Sequence, residues 1–233
     1  MSNIAIITAR GGSKRIPHKN IKEFCGKPIL AYSIDAALKS KIFDNVMVST
    51  DDENIASIAK RYGALVPFMR SKENADDYST TASVLTEVID SYKAKGQIFN
   101  YMCCLYPTAP FVTAEKLVRA FNKLQEQNVE AVVPVVKYAF PPQRCFIVEN
   151  GKLQYKWPQH MLTRSQDLTS CYHDAGQFYF IKTDVFLHKK TLIPPETLPY
   201  ILDEREVQDI DNISDWEIAE IKYRIMNKLM EEK

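Results

Sequence analysis

The alternation of strand and helix signals through the first 137 residues constrains this chain most. Ile4–Thr8 is an apolar run that reads as a buried strand, Pro28–Ser40 has helical periodicity, and Asn45–Thr50 is a second strand. Asp51, Asp52 and Glu53 then open a helix to Tyr62, with acids in the first turn where the helix dipole favours them. Gly63 ends that helix, and Ala64–Phe68 reads as a short strand. Thr80–Lys95 is helical, Asn100–Tyr106 a strand, Thr113–Gln127 a helix and Glu130–Lys137 a strand. Strands alternating with helices of roughly 10–15 residues predict an α/β fold, a mostly parallel sheet sandwiched by helices.

The pattern changes after residue 137. Arg144–Glu149 and Lys152–Lys156 flank Asn150-Gly151, a strong type I′ hairpin signal. His160–His173 is polar and irregular, and Gln177–Ile181 returns to a strand. Residues 138–175 therefore read as an insertion projecting from one domain that spans 1–233, and 213–231 as a closing helix. A chain of 233 residues buries about 70–75% of its unfolded surface and needs no disulfide or metal to hold a core. The five cysteines are odd in number and match no zinc spacing, so free thiols in a reducing cytoplasm are expected. The net charge of +1 offers no global field for nucleic acid or an anionic membrane. No apolar run approaches the roughly 18 residues of a membrane span. The first residues run straight into a strand without a signal peptide, so a cytoplasmic location is expected.

In open α/β sheets the ligand sits at the carboxyl ends of the strands. Four polar motifs fall there: 10–20 after the first strand, 70–81 after the third, 106–110 after the fourth, and 209–211 near the end. The first reads Ala-Arg-Gly-Gly-Ser-Lys-Arg-Ile-Pro-His-Lys-Asn from Ala9 to Asn20. Gly11 and Gly12 could take positive φ and turn successive N–H groups, with that of Ser13, into an anion-binding nest. Arg10, Lys14 and Lys19 are candidates to neutralise a polyphosphate, while Arg15 and His18 either join them or point to water. The loop lacks the Gly-x-x-x-x-Gly-Lys-Ser/Thr of a P-loop. It also lacks the Gly-x-Gly-x-x-Gly of a dinucleotide fold, which disfavours a dehydrogenase. Asn20 can donate and accept at once, which suits a base or ribose edge.

Asp209-Ile210-Asp211 places two carboxylates at i and i+2, on one face if the segment is a strand, with Ile210 turned to the core. Paired acids beside a triphosphate favour Mg²⁺; the alternative is an acidic loop in which Asp211 or Ser214 caps the last helix. His160 and His173 are either surface residues or a base. No Ser/His/Asp set, Cys/His pair or cluster of metal-spaced histidines appears.

The motif Ala9–Lys14 with Lys19-Asn20 resembles the N-terminal signature of the sugar-acid cytidylyltransferases, the CMP-sialic acid synthetases. Further matches are Val48–Asp52, Arg70 followed by Ala75-Asp76-Asp77 and Ser79-Thr80-Thr81, Leu105–Pro110, and Asp209-Ile210-Asp211. Within that family, Tyr106 and the Asp174–Tyr179 segment are most similar to the pseudaminic acid cytidylyltransferases of bacterial flagellar glycosylation. The resemblance implies a nucleotide-diphospho-sugar transferase-like fold. It also implies transfer of CMP from CTP to the anomeric hydroxyl of a nine-carbon keto-sugar acid, with release of pyrophosphate. It places Arg10, Asn20, Arg70, Ser79 and Thr81 around the nucleotide and assigns Asp209 and Asp211 to Mg²⁺. Tyr106, Gln143, Arg164 and Gln177 are implied at the sugar, with the 143–144 position ambiguous by one residue.

The resemblance further makes the insertion a dimerisation element of a homodimer, whose Arg164 reaches the neighbouring subunit's site. Sialic acid synthetases carry glutamine where this chain has Tyr106, and a phenol suits a more apolar, dideoxy diacetamido acid. Pseudaminic acid is therefore the favoured acceptor; N-acetylneuraminic or legionaminic acid, or a non-catalytic nucleotide-binding module, are the alternatives.

Overall fold

The computed structural model describes residues 2–76 and 78–231. Asp77, part of the run quoted above, lies outside the described residues. In chain order the elements are β1 (Asn3–Thr8), β2 (Glu23–Phe24), β3 (Lys27–Pro28), α1 (Ile29–Ser40), β4 (Asn45–Ser49), α2 (Glu53–Arg61), α3 (Thr81–Ala94), β5 (Tyr101–Leu105) and α4 (Ala114–Glu126). They continue with β6 (Ala131–Lys137), β7 (Phe146–Glu149), β8 (Lys152–Tyr155), β9 (Tyr172–Asp174), β10 (Phe178–Lys182), α5 (Thr183–Lys189), β11 (Thr197–Leu202) and α6 (Ile213–Glu231). Caps fix several helix starts. The Asp52 carboxylate accepts from the N–H groups of Asn54 and Ile55, Thr80 from Ser83, and Thr113 from Lys116.

The main sheet runs β11-β6-β10-β5-β1-β4, with β9 added to β6. β1, β4, β5, β6 and β11 all point the same way, whereas β10 is antiparallel to both β5 and β6. The α/β expectation holds, and the antiparallel strand is what the alternation of signals could not give. Period-2 alternation in β1 splits the core in two. Ala5 and Ile7 face Leu30, Ile34, Leu117 and Phe121, from α1 and α4. Ile4 and Ile6 face Leu85, Val88 and Tyr92 of α3 and Phe186 of α5. A third cluster joins Phe24, Tyr32, Phe111 and Ile210 to Trp216 of α6.

Two local readings are corrected. Ala64–Phe68 is not a strand: Leu65 alone bridges Met47, exchanging backbone bonds with Val46 and Val48 at 2.8 and 2.9 Å. Pro67 has no N–H to continue that ladder. Residues 209–211 belong to no strand, although Ile210 is buried between its flanking aspartates as the alternation requires. β11 carries Pro199 and is an edge strand, where a missing N–H is tolerated. Pro134 lies in β6 where its partner changes from β10 to β9.

The chain leaves the sheet after Lys137 and rejoins it at Tyr172, the two ends joined by a Tyr138 N–H to Cys171 O bond of 3.0 Å. The excursion holds the β7–β8 hairpin as a separate two-stranded sheet. Asn150 (φ 51°) and Gly151 (φ 72°) are both left-handed at its tip, as a type I′ turn demands. All five cysteines are free, and Cys103 and Cys104 are buried in β5. No helix among the described residues is long and apolar enough to cross a membrane.

Candidate active site

The ends of β1, β4, β5, β6 and β11 and the start of β10 meet at one edge of the sheet, and two cavities open there. The first, of about 470 Å³, is walled by Arg10, Ser13, Lys14, Arg15, Lys19, Asn20, Arg70, Ser79, Thr81 and Tyr106, with Thr8, Ile16, Val84, Pro107 and Thr108. Among the described residues five cations line it and no carboxylate does. A neighbouring hollow of about 520 Å³ lies on the other side of the 10–14 loop and is bounded by Gly11, Gly12, His18 and Asp76.

Arg70, Lys19 and Arg10 are held by hydrogen bonds. Arg70 is only 8% exposed. Its Nε donates to Ser49 Oγ at 3.0 Å and its Nη2 to Ser49 O at 2.6 Å, while its own N–H donates to Thr50 O at 2.8 Å. Burial lowers the guanidinium pKa, and Asp51 and Glu87 oppose that fall. Lys19 Nζ donates to Ile210 O at 2.7 Å. Burial lowers its pKa as well, against the opposing pull of Asp211 and Asp209. Arg10 Nη1 donates to Asp76 O at 3.0 Å, and Asn20 Nδ2 donates to Arg10 O at 2.8 Å. Ser79 donates to Asp76 Oδ1 from both its N–H (2.7 Å) and its hydroxyl (2.5 Å).

The glycine pair does not build the expected nest. Neither Gly11 nor Gly12 takes a positive φ. The Gly11 N–H is held by Asp51 Oδ1 at 2.9 Å and the Ser13 N–H by Gly11 O at 2.9 Å. Gly11 is needed for a different reason: a Cβ there would lie 2.9 Å from Asp52 Oδ2 and 3.0 Å from Asp52 Cβ. The loop thus presents side-chain cations to the cavity rather than a nest of backbone N–H groups.

The second cavity, of about 610 Å³, shares Tyr106 and Thr108 with the first. Its other walls are Val136, His173, Asp174, Ala175, Gly176 and Tyr179 on one side, and Glu204, Val207, Gln208, Asp209 and Lys222 on the other. Tyr106 sits between the cavities, its ring 5.4 Å from that of Tyr179 at 52°. Burial raises the Tyr106 phenol pKa, and the Thr81 and Tyr179 hydroxyls oppose part of the rise. Tyr179 donates to Asp174 Oδ2 at 2.7 Å, and Asp174 Oδ1 accepts from the Gly176 N–H at 2.8 Å. Asp174 is thus an oriented carboxylate on the cavity wall.

The remaining expected residues are placed differently. Gln177 is buried behind the wall: its Nε2 donates to Glu206 O at 2.6 Å, its carbonyl accepts from the Tyr106 N–H at 2.9 Å, and its Oε1 has no partner. Gln143 lies in the excursion, where its Nε2 donates to Thr169 O at 2.8 Å. Arg164, also in the excursion, pairs with Asp167 at 2.7 Å. Gln143 and Arg164 border neither cavity of their own chain. His160 is likewise absent from both walls, whereas His173 is on the second. Residues missed by motif reading are Asp174 as a wall group, Tyr179, Glu204 and Lys222.

Asp209 and Asp211 flank Lys19, and Asp211 Oδ1 accepts from Arg15 Nη2 at 2.8 Å. Among the described residues no group of three or more His, Cys, Asp or Glu side chains gathers as a complete metal cage. Two carboxylates beside a cation-lined cavity do fit a hard divalent ion that completes its shell with phosphate oxygens and water.

The sequence profile of the Cytidylyltransferase family matches residues 4–214. The chain belongs to that family. It is 41% identical over 226 residues to a pseudaminic acid cytidylyltransferase of Campylobacter jejuni, covering 97% of each chain. It is 31% identical over 224 residues to the CMP-N,N′-diacetyllegionaminic acid synthase of Legionella pneumophila, covering 94% of this chain and 95% of that one. Among solved structures it is similar to a CTP complex of CMP:2-keto-3-deoxy-manno-octonic acid synthetase, with a TM-score of 0.70, 15% identity, and coverage of 98% of this chain and 100% of that chain. This cytidylyltransferase thus combines the sheet of CTP-utilising synthetases with a cation-rich cavity and an adjoining acidic one.

Proposed function

We propose that this cytidylyltransferase transfers CMP from CTP to the anomeric hydroxyl of pseudaminic acid. The sugar oxygen bonds to the α-phosphorus, the bond to the bridging oxygen breaks, pyrophosphate leaves, and the hydroxyl proton is lost. One observation carries the reading: a five-cation cavity adjoins, at Tyr106 and Thr108, a second cavity of about 610 Å³, in a chain 41% identical to a pseudaminic acid cytidylyltransferase along almost its whole length.

Arg10, Lys14 and Lys19 neutralise the triphosphate, and Arg70, Ser79, Thr81 and Asn20 hold the nucleotide. Such transfers depend mainly on positioning and charge stabilisation, which rigidly seated cations supply without reorganisation. Asp209 and Asp211 would hold Mg²⁺, which when bound supplies further charge neutralisation at the phosphates. Asp211 then exchanges its Arg15 partner for that role. Tyr106 presents an apolar ring to the acceptor, in keeping with a dideoxy sugar.

The excursion exposes Phe140 (86%) and Leu162 (88%), with Val148 and Leu153 on the hairpin. Exposed apolar groups on a projecting arm support a homodimer. In that dimer Arg164 and Gln143 serve the other subunit's acceptor cavity, since they border neither of their own. The test is pyrophosphate release with CTP and a panel of nine-carbon acids. Pseudaminic acid is the expected best acceptor, ahead of N-acetylneuraminic and legionaminic acids. No release with any of them would overturn the reading.

A further inference from the structure

The acceptor cavity has the wrong charge for an acid. Asp174, Glu204 and Asp209 line it, and Lys222 is the sole lysine or arginine in its wall among the described residues. Even with Asp209 given to a metal ion, a sugar carboxylate entering this space meets Asp174 and Glu204 and needs a cation to offset them.

Lys222 projects from α6 and is half-buried. Its Nζ donates to Val207 O at 2.7 Å and to Glu204 O at 3.2 Å. Those carbonyls fix the ammonium without neutralising it. An ammonium carries three N–H groups, so one remains after these two bonds. The two carbonyls belong to the turn that also carries Asp209, so the ammonium is held in register with that wall of the cavity.

We propose that Lys222 is the binding residue for the acceptor's carboxylate within its own subunit, and so sets the preference for acid over neutral sugars. The proposal rests on the acceptor reading above. It makes the closing helix part of the acceptor site, with the neighbouring subunit's Arg164 acting on the same cavity from the other side.

The experiment compares pseudaminic acid with its carboxyl methyl ester in wild type and in Lys222→Gln. Glutamine can still donate to one of the two carbonyls, so the turn keeps an anchor. Wild type is expected to favour the acid over the ester by about 10–100-fold in kcat/KM, the range of a charge-assisted hydrogen bond. In Lys222→Gln that ratio is expected to fall to a few-fold, through a higher KM for the acid, with the KM for CTP and the Tm unchanged. An acid-to-ester ratio unaltered in the variant would overturn the proposal. So would equal losses on both acceptors with a lowered Tm, the mark of a merely structural lysine. Absence of turnover by wild type with every nine-carbon acid would refute the acceptor reading itself, and this inference with it.

Discussion

The two cavities are built on opposite principles. Among the described residues the nucleotide side carries five cations and no carboxylate, and its walls come from the loops after β1 and β5, the segment between α2 and α3, and the start of α3. The acceptor side carries three carboxylates and one lysine. Its walls come from β9, the turn before β10, the turn after β11 and the third turn of α6. A triphosphate brings several negative charges, and the first cavity answers it from within one subunit. On the proposed reading the acceptor brings one charge into an acidic space, and its binding would depend on single cations, Lys222 and the neighbour's Arg164. The proposal therefore makes the nucleotide half self-sufficient and the acceptor half borrowed in part.

The largest expected effect breaks the nucleotide half. Lys19→Ala removes a cation held against Ile210 O between the two aspartates. It is expected to lower kcat by about 10²–10³, the usual cost of one charge-stabilising donor. Its circular dichroism and Tm should stay close to wild type, and near-normal turnover would remove Lys19 from its role. A smaller effect is expected for Gly11→Ala. The new methyl group meets the Asp52 side chain and should destabilise the fold by about 1–3 kcal/mol. The KM for CTP should rise about tenfold while the acceptor's stays put, and an unchanged KM for CTP in steady-state kinetics would show that the loop tolerates the shift. The smallest effect sharpens the boundary. Tyr106→Phe deletes a hydroxyl set between Thr81 and Tyr179 and should cost about threefold to tenfold in kcat/KM for the acceptor. An equal loss measured on CTP would place Tyr106 with the nucleotide instead.

The same asymmetry governs what could be read from sequence. The gathering of the cation-lined cavity was legible because its residues sit in compact motifs at predicted strand ends: Arg10 to Asn20, Arg70, and Ser79 with Thr81. The acceptor half was not, because Asp174, Glu204 and Lys222 lie far apart along the chain and converge only when β9 and β11 join β6. Neither strand announces itself: β9 has three residues, and β11 contains Pro199. The direction of β10 was also hidden, since an apolar run looks the same parallel or antiparallel. Gln177 was expected at the sugar but lies behind the wall, tying Tyr106 to Glu206. The glycine pair was legible as a loop but not in its purpose, because the close neighbour is Asp52, forty-one positions beyond Gly11.

Amide hydrogen exchange, with CTP first and the acceptor added second, tests the division of the site most directly. CTP with Mg²⁺ is predicted to protect 9–20 and 70–81 and to leave 172–176 and 204–209 at their free rates. Pseudaminic acid, added to the CTP complex under conditions that block turnover, is predicted to protect 172–176 and 204–209. Protection of 172–176 by CTP, with 9–20 unchanged, would contradict the account.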